Sequence, residues 1–227
     1  MAGVIFTAAI GMGLPIAAFL YACFRKRYFP FLLGVLAFVV SQVLIRIPLL
    51  KYIGEHSTAF VMFSATEPVL FAIVLGLSAG IVEELARFTA MRFFMRQRDW
   101  QSGFLFGAGH GGIEAVLFVG SSAIALLFSS AALADSEIYF IGGIERFFAM
   151  LLHIGLSIIV LQGVVQKRIF YVLLAILIHG FVDALVGILP LYVPKDHVLP
   201  VLEVTLAMMA LAVFNYGLWT KRKGVWQ

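Results

Sequence analysis

The sequence predicts an all-α protein that crosses a bilayer about seven times, and three observations carry that reading. Hydrophobic residues make up 63% of the 227 residues, charged residues only 12%, and the mean hydropathy is +1.05. A soluble fold of this size cannot hide so much apolar surface. Seven apolar stretches, nearly the whole chain, reach the roughly 20 residues that a spanning helix needs. Basic residues gather in alternate connections: Arg25, Lys26 and Arg27, then Arg96 and Arg98, then Lys167 and Arg168, then Lys221, Arg222 and Lys223. The positive-inside rule makes those connections cytoplasmic, with the N-terminus outside and the C-terminus in the cytoplasm. The expectation is therefore one transmembrane domain over residues 1–227 in a cell inner membrane. The net charge of +4 comes in short, regularly placed clusters, which mark topology rather than a nucleic-acid or lipid-recognition patch. Met1 to Phe6 carries no lysine or arginine, so the first span is expected to be retained rather than cleaved as a leader. Cys23 is the only cysteine, so any metal would have to use His, Glu or Asp.

Taken in order, Val4 to Phe24 is the first span, with Pro15 expected to kink it. Phe29 to Leu50 is the second, and its Arg46, about one turn from the outer end, is expected to snorkel. An outer loop follows from Lys51. Thr66-Glu67-Pro68 reads as a helix start, with proline in the first turn and Glu67 as cap. The third span, Pro68 to Phe94, contains Ile81-Val-Glu-Glu-Leu-Ala-Arg87, and Gly76 and Gly80 form a face for close helix packing. The fourth, Ser102 to Phe128, carries His110 and Glu114 on one face, with Gly103, Gly107 and Gly111 as a second close-packing strip. Ala131 to Glu137 reads as an outer loop. The fifth span, Tyr139 to Val164, carries Glu145, Arg146 and His153, with Arg146 and His153 almost on one stripe. The sixth, Ile169 to Leu189, has His179 and Asp183 four apart. Leu191 to Leu199 is an outer loop with His197, and Pro200 to Trp219 is a seventh span read as packing, with Glu203 near its outer end.

Each intramembrane charge costs about 2.5 to 3.5 kcal/mol on insertion scales, so Glu83, Glu84 and Arg87 require a reason. On a helix Arg87 reaches either carboxylate at three or four residues. It can neutralise one and leave the other for chemistry. At 1.5 Å per residue from the inner end, Glu83 and Glu84 lie about 15 to 17 Å deep, His110 about 12 Å, His153 about 17 Å and His179 about 15 Å. Four helices thus place polar groups in one layer, with Glu114, Glu145, Arg146 and Asp183 further out. His110, His153 and His179 beside a carboxylate are the donor types of a catalytic zinc site, in which bound water becomes acidic. The same groups could act without metal, a glutamate deprotonating water and His179 stabilising an oxyanion. Hydrolysis of a peptide bond within the membrane is the first expectation. Proton-coupled transport and a non-catalytic membrane scaffold are the alternatives, and the concentration of polar groups in one layer favours the hydrolase.

Glu83-Glu84-x-x-Arg87, the run His110-Gly111-Gly112-Ile113-Glu114, Glu145-Arg146 and His179-x-x-x-Asp183 resemble the YhfC family of intramembrane metalloproteases. That family is related to the PrsW proteases and, more distantly, to the CAAX-prenyl and bacteriocin-processing proteases. The resemblance runs from the third span to the sixth and implies a catalytic core over about 68–190. It implies that Glu83 activates water, that His110 assists, and that His179 with Asp183 forms an oxyanion pocket. Substrates would be membrane proteins or lipid-anchored peptides. Two residues separate Glu84 from Arg87, as in the PrsW pattern, where CAAX-type enzymes have three. The choice between Glu83 and Glu84 as base stays open on that account. Glu114 and His153 have no CAAX counterpart, and their roles rest on depth and facing.

Overall fold

A computed structural model describes residues 1–129, 136–224 and 226. Seven helices among these residues are long and apolar enough to cross a membrane: Ala2–Phe24, Tyr28–His56, Pro68–Phe94, Trp100–Leu127, Glu137–Gln166, Phe170–Tyr192 and Lys195–Arg222. The expected connection from Ala131 lies outside the described residues as far as 135, and Glu137 already belongs to the fifth helix. Two expected loops are instead largely helical. The second span continues to His56 and is followed by a short helix, Thr58–Thr66, capped by Ser57. The seventh begins at Lys195, which puts His197 in its first turn. Glu67 does occupy the N-cap position of the third span, but its side chain makes no capping hydrogen bond.

The fifth span is the axis of the bundle, with 83% of its most apolar window buried, against 11% for the seventh. Large apolar side chains on the outer helices, among them Leu20, Leu44, Leu177, Phe181 and Met208, are exposed to the surroundings. That is the pattern of a bundle solvated by lipid, in which helices associate by packing rather than by excluding water. The expected small-residue faces do that packing. A Cβ on Gly76 would lie 2.4 Å from the Gly180 carbonyl oxygen, and one on Gly107 would lie 2.4 Å from Cα of Ile154. The third span therefore rests on the sixth, and the fourth on the fifth. Gly109, outside the expected strip, is tighter still: a Cβ there would be 2.1 Å from the carbonyl oxygen of Phe31 in the second span. Gly109→Ala is expected to cost about 1–3 kcal/mol through forced separation of these backbones. The thermal unfolding midpoint in detergent would show it, and an unchanged midpoint would mean the second and fourth spans can part freely.

Four spans contain a wide, π-helical turn, at Ala9–Gly13, Val39–Arg46, Ala90–Phe94 and Val116–Gly120. The first lies directly before Pro15, which lacks the N–H for a regular helical bond. The second carries Gln42 and Arg46.

The connections rich in arginine and lysine meet at one end, called here the basic end. Arg27, after the first span, pairs with Asp99, before the fourth, and Lys221 at the end of the seventh sits over the Trp100 ring at 4.2 Å. Asp99 also caps the fourth span by accepting from the Ser102 N–H at 2.8 Å. Partial burial would raise its pKa, but the bonds from Arg27 and Ser102 prevail and hold the carboxyl below its usual range. Its contribution is thus complete above the ordinary carboxyl pKa and is lost as pH falls through the lowered value. Asp99→Ala is expected to lower stability at neutral pH by about 1 kcal/mol through the lost cap, with a smaller difference in acid. Equal midpoints for both proteins at neutral pH would contradict this.

Candidate active site

Glu83, Glu84 and Arg87 occupy one buried turn of the third span, with Arg87 0% exposed. The guanidinium lies 3.3 Å from Glu84 Oε1 and 3.8 Å from Glu83 Oε2, so it serves both carboxylates rather than one. Its remaining reach goes to the fifth span: it donates to the His153 carbonyl at 3.4 Å and to His153 Nδ1 at 2.9 Å. Because Nδ1 accepts there, Nε2 carries the proton of the neutral ring, and it donates to Glu114 Oε2 at 2.5 Å. Arg146 closes the chain, donating to Glu114 at 2.8 Å and to Glu145. The stripe that joins Arg146 and His153 is thus the face that grips Glu114.

His110 and His179 approach the acidic pair from opposite sides. His110 Nε2 donates to Glu83 Oε2 at 2.8 Å, and its Nδ1 is buried without a partner among the described residues. The ring is held edge-on to Phe38, with centroids 5.2 Å apart. His179 Nδ1 donates to Glu84 Oε1 at 2.7 Å. Its Nε2 faces Glu83 at 3.8 Å and Asp183 at 3.7 Å, both too long for direct hydrogen bonds. Adjacent imidazole centroids are 5.1 Å apart between His110 and His153, and 5.4 Å between His153 and His179. The layer expected from depth is one connected cluster.

A cavity of about 450 Å³ opens on this cluster, lined by Glu83, His153, His179, Asp183, Glu114 and Arg146 among others. Glu84, Arg87 and His110 do not line it. The two adjacent glutamates are therefore unequal, since Glu83 faces the space and Glu84 stands behind it. From this layer the cavity extends away from the basic end, towards Ile47, Phe118, Leu199 and Glu203. The seventh span, read from sequence as packing, supplies part of its wall.

Sequence reasoning missed Gln42. Its amide donates to Glu83 Oε1 and accepts at Oε1 from Arg46 at 3.3 Å. Arg46 does not snorkel: it turns inward and also donates to the Leu75 carbonyl at 2.8 Å and to Ser78 Oγ at 3.1 Å. By accepting from Arg46, the Gln42 oxygen fixes which end of the amide meets Glu83. An amide four residues before an intramembrane arginine was the signal available in the sequence.

Glu83, His110 and His153 each offer a ligand atom within 4.8 Å of the others, whereas the sequence reading had set His179 beside His110 and His153. Two imidazoles and a carboxylate are a recognised catalytic zinc set. Glu114 behind His153 is the kind of carboxylate that orients a ligating imidazole.

Acids and histidines from four spans, buried around a cavity inside a seven-helix bundle, define a polytopic membrane protein with the chemical groups of a hydrolytic centre. The chain belongs to the YhfC family: residues 12–138 and 132–196 match the family described as YhfC intramembrane metalloprotease. It is 32% identical over 206 residues to the uncharacterized membrane protein YhfC of Bacillus subtilis strain 168, covering 77% of this chain and 79% of that protein. No solved structure matches the chain.

Proposed function

We propose that the protein is an intramembrane endopeptidase that hydrolyses peptide bonds of membrane-embedded or lipid-anchored substrates, with Glu83 as the general base. The observation that carries this reading is the inequality of the acidic pair: of two adjacent buried carboxylates, only Glu83 lines the cavity. Glu83 is held by Gln42 and His110 on separate oxygens, so the carboxylate is oriented before any substrate arrives. It takes a proton from a water in the cavity as the water oxygen bonds to the scissile carbonyl carbon. The carbonyl oxygen gains the negative charge, and His179 in its protonated form presents Nε2–H to it. Glu84 fixes that ring from behind through Nδ1, and the Asp183 carboxylate, 3.7 Å from Nε2, faces it from the cavity side. Glu83 then passes its proton to the amide nitrogen, the carbon–nitrogen bond breaks, and an acid and an amine result.

Zinc, where bound, would be held by Glu83, His110 and His153 and would supply a more acidic water and a polarised carbonyl. Arg87 on His153 Nδ1 and Glu114 on Nε2 hold the ring from both nitrogens, and one of these contacts must yield for His153 to coordinate. The N-terminus lies outside and the C-terminus in the cytoplasm of the cell inner membrane. The cavity then leads from the polar layer towards the outer side, so substrate enters from that half of the bilayer.

Purified protein in lipid vesicles, mixed with a panel of single-span peptides, tests the reading by mass spectrometry of new peptide ends. Cleavage inside the apolar segments is expected, together with near-stoichiometric zinc in the wild type that is lost in a His110→Ala, His153→Ala double variant. Intact peptides across the panel would overturn the peptidase. Cleavage by a folded protein that takes up no zinc would retain Glu83 as base and remove the metal.

A further inference from the structure

A second cavity, of about 740 Å³, lies at the basic end, far from the acidic pair, between the first span, the start of the fourth and the end of the seventh. Its inner part is apolar, formed by Leu14, Ala18 and Phe104, and its rim carries Arg25, Lys221 and the aromatic rings of Trp100 and Trp226. We propose that this groove binds one anionic glycerophospholipid, its phosphate between Arg25 and Lys221 and an acyl chain along Leu14, Ala18 and Phe104.

Charge selects the head group. Among the described residues Asp99 is the one carboxylate lining the groove, and it is already committed to Arg27 and to the Ser102 N–H. Arg25 forms no ion pair with any described residue, and Lys221 is held over the Trp100 ring at 4.2 Å, which restrains its ammonium without neutralising it. The uncompensated charge at the rim is therefore positive. Geometry selects a lipid over a free anion. From Leu14 to Arg25 the first span rises about 16 Å, so the apolar shaft runs into the hydrocarbon while the cations stand at the head-group level. Tryptophan and tyrosine at that level are characteristic of the membrane interface, and Tyr21 Oη accepts from Gln101 at 3.3 Å across the groove. Basic pockets between spanning helices are known binding places for anionic lipid head groups. Sequence alone could not join these features, since Arg25 and Lys221 stand near opposite ends of the chain.

Native mass spectrometry of the detergent-purified protein with equimolar phosphatidylglycerol and phosphatidylcholine of identical chains tests this. One phosphatidylglycerol should stay bound under activation that strips phosphatidylcholine. An Arg25→Gln, Lys221→Gln double variant should lose that preference at least about tenfold, whereas Lys51→Gln at the opposite end should keep it. Ala18→Phe, which narrows the shaft and leaves every charge, should also reduce retention, and glycerol 3-phosphate should not compete. Equal retention of the two lipids by the wild type, or undiminished preference in the double variant, would overturn the proposal. Competition by glycerol 3-phosphate as strong as by the lipid would reduce the site to an anion site and overturn the lipid assignment.

Discussion

Glu83→Gln is expected to slow cleavage by about 10²–10⁴-fold, the usual range for loss of a general base, while the protein stays folded. Glutamine has the same shape and can still accept from His110, but its NH2 then faces the Gln42 NH2, so the proton acceptor and one orienting hydrogen bond are lost together. Glu84→Gln should behave differently. Its oxygen can still accept from His179 Nδ1, and the loss should be about tenfold or less, the scale of one weakened charge-assisted hydrogen bond. Initial rates for the two variants on one cleaved peptide, each checked for wild-type elution and helicity, separate the roles. An inactive Glu84→Gln beside an active Glu83→Gln would move the base to Glu84 and break the link between cavity lining and catalysis.

Arg87→Met is expected to give the largest change in stability, a loss of about 3–5 kcal/mol, because it strands two buried carboxylates and removes the donor to His153 Nδ1. Arg87→Lys should recover only part of this. A single ammonium cannot reach Glu83, Glu84 and His153 together in the way the planar guanidinium does. If the charge of the pair is the cause, adding Glu84→Gln to Arg87→Met should restore stability, giving a coupling well above the roughly 0.3–0.5 kcal/mol seen for independent sites. Denaturant or thermal unfolding in a mild detergent measures all five proteins: wild type, Arg87→Met, Arg87→Lys, Glu84→Gln and the Arg87→Met, Glu84→Gln double variant. An Arg87→Met protein within about 0.5 kcal/mol of wild type would show that the acidic pair does not depend on its arginine.

The parts of this arrangement that the sequence disclosed were those where the membrane makes residues expensive. Charges and histidines inside apolar runs stand out, and a fixed helical rise converts their positions into depth, so the layer of Glu83, Glu84, His110, His153 and His179 was legible. Gln42 was not, because an amide is cheap beside a carboxylate and leaves the hydropathy of its span high. The inequality of Glu83 and Glu84 was hidden for another reason. Neighbouring helical residues differ by about 100° in facing, but which direction opens on a cavity depends on six helices that local sequence does not locate. Gly109 was passed over because the regular four-residue strip pointed to the fifth span, whereas this glycine serves the second. The stretches after Lys51 and around His197 read as loops because they fall between apolar runs long enough to span, whereas Lys51 to His56 prolongs the second span, Thr58–Thr66 is a short helix of its own, and His197 lies in the first turn of the seventh.

The burial of the fifth span bears on how the chain is made. A helix carrying Glu145, Arg146 and His153 leaves the insertion machinery before the sixth and seventh exist, yet Gly155 packs against Val213 and Ile158 against Gly217 in the finished molecule. Its apolar face is thus completed only by the seventh span, whereas Arg146 and His153 find Glu114 and Arg87 on spans that precede their own. A truncation before Lys195 would therefore uncover the Gly155 and Ile158 face and one wall of the cavity while leaving the contacts among the third, fourth and fifth spans in place.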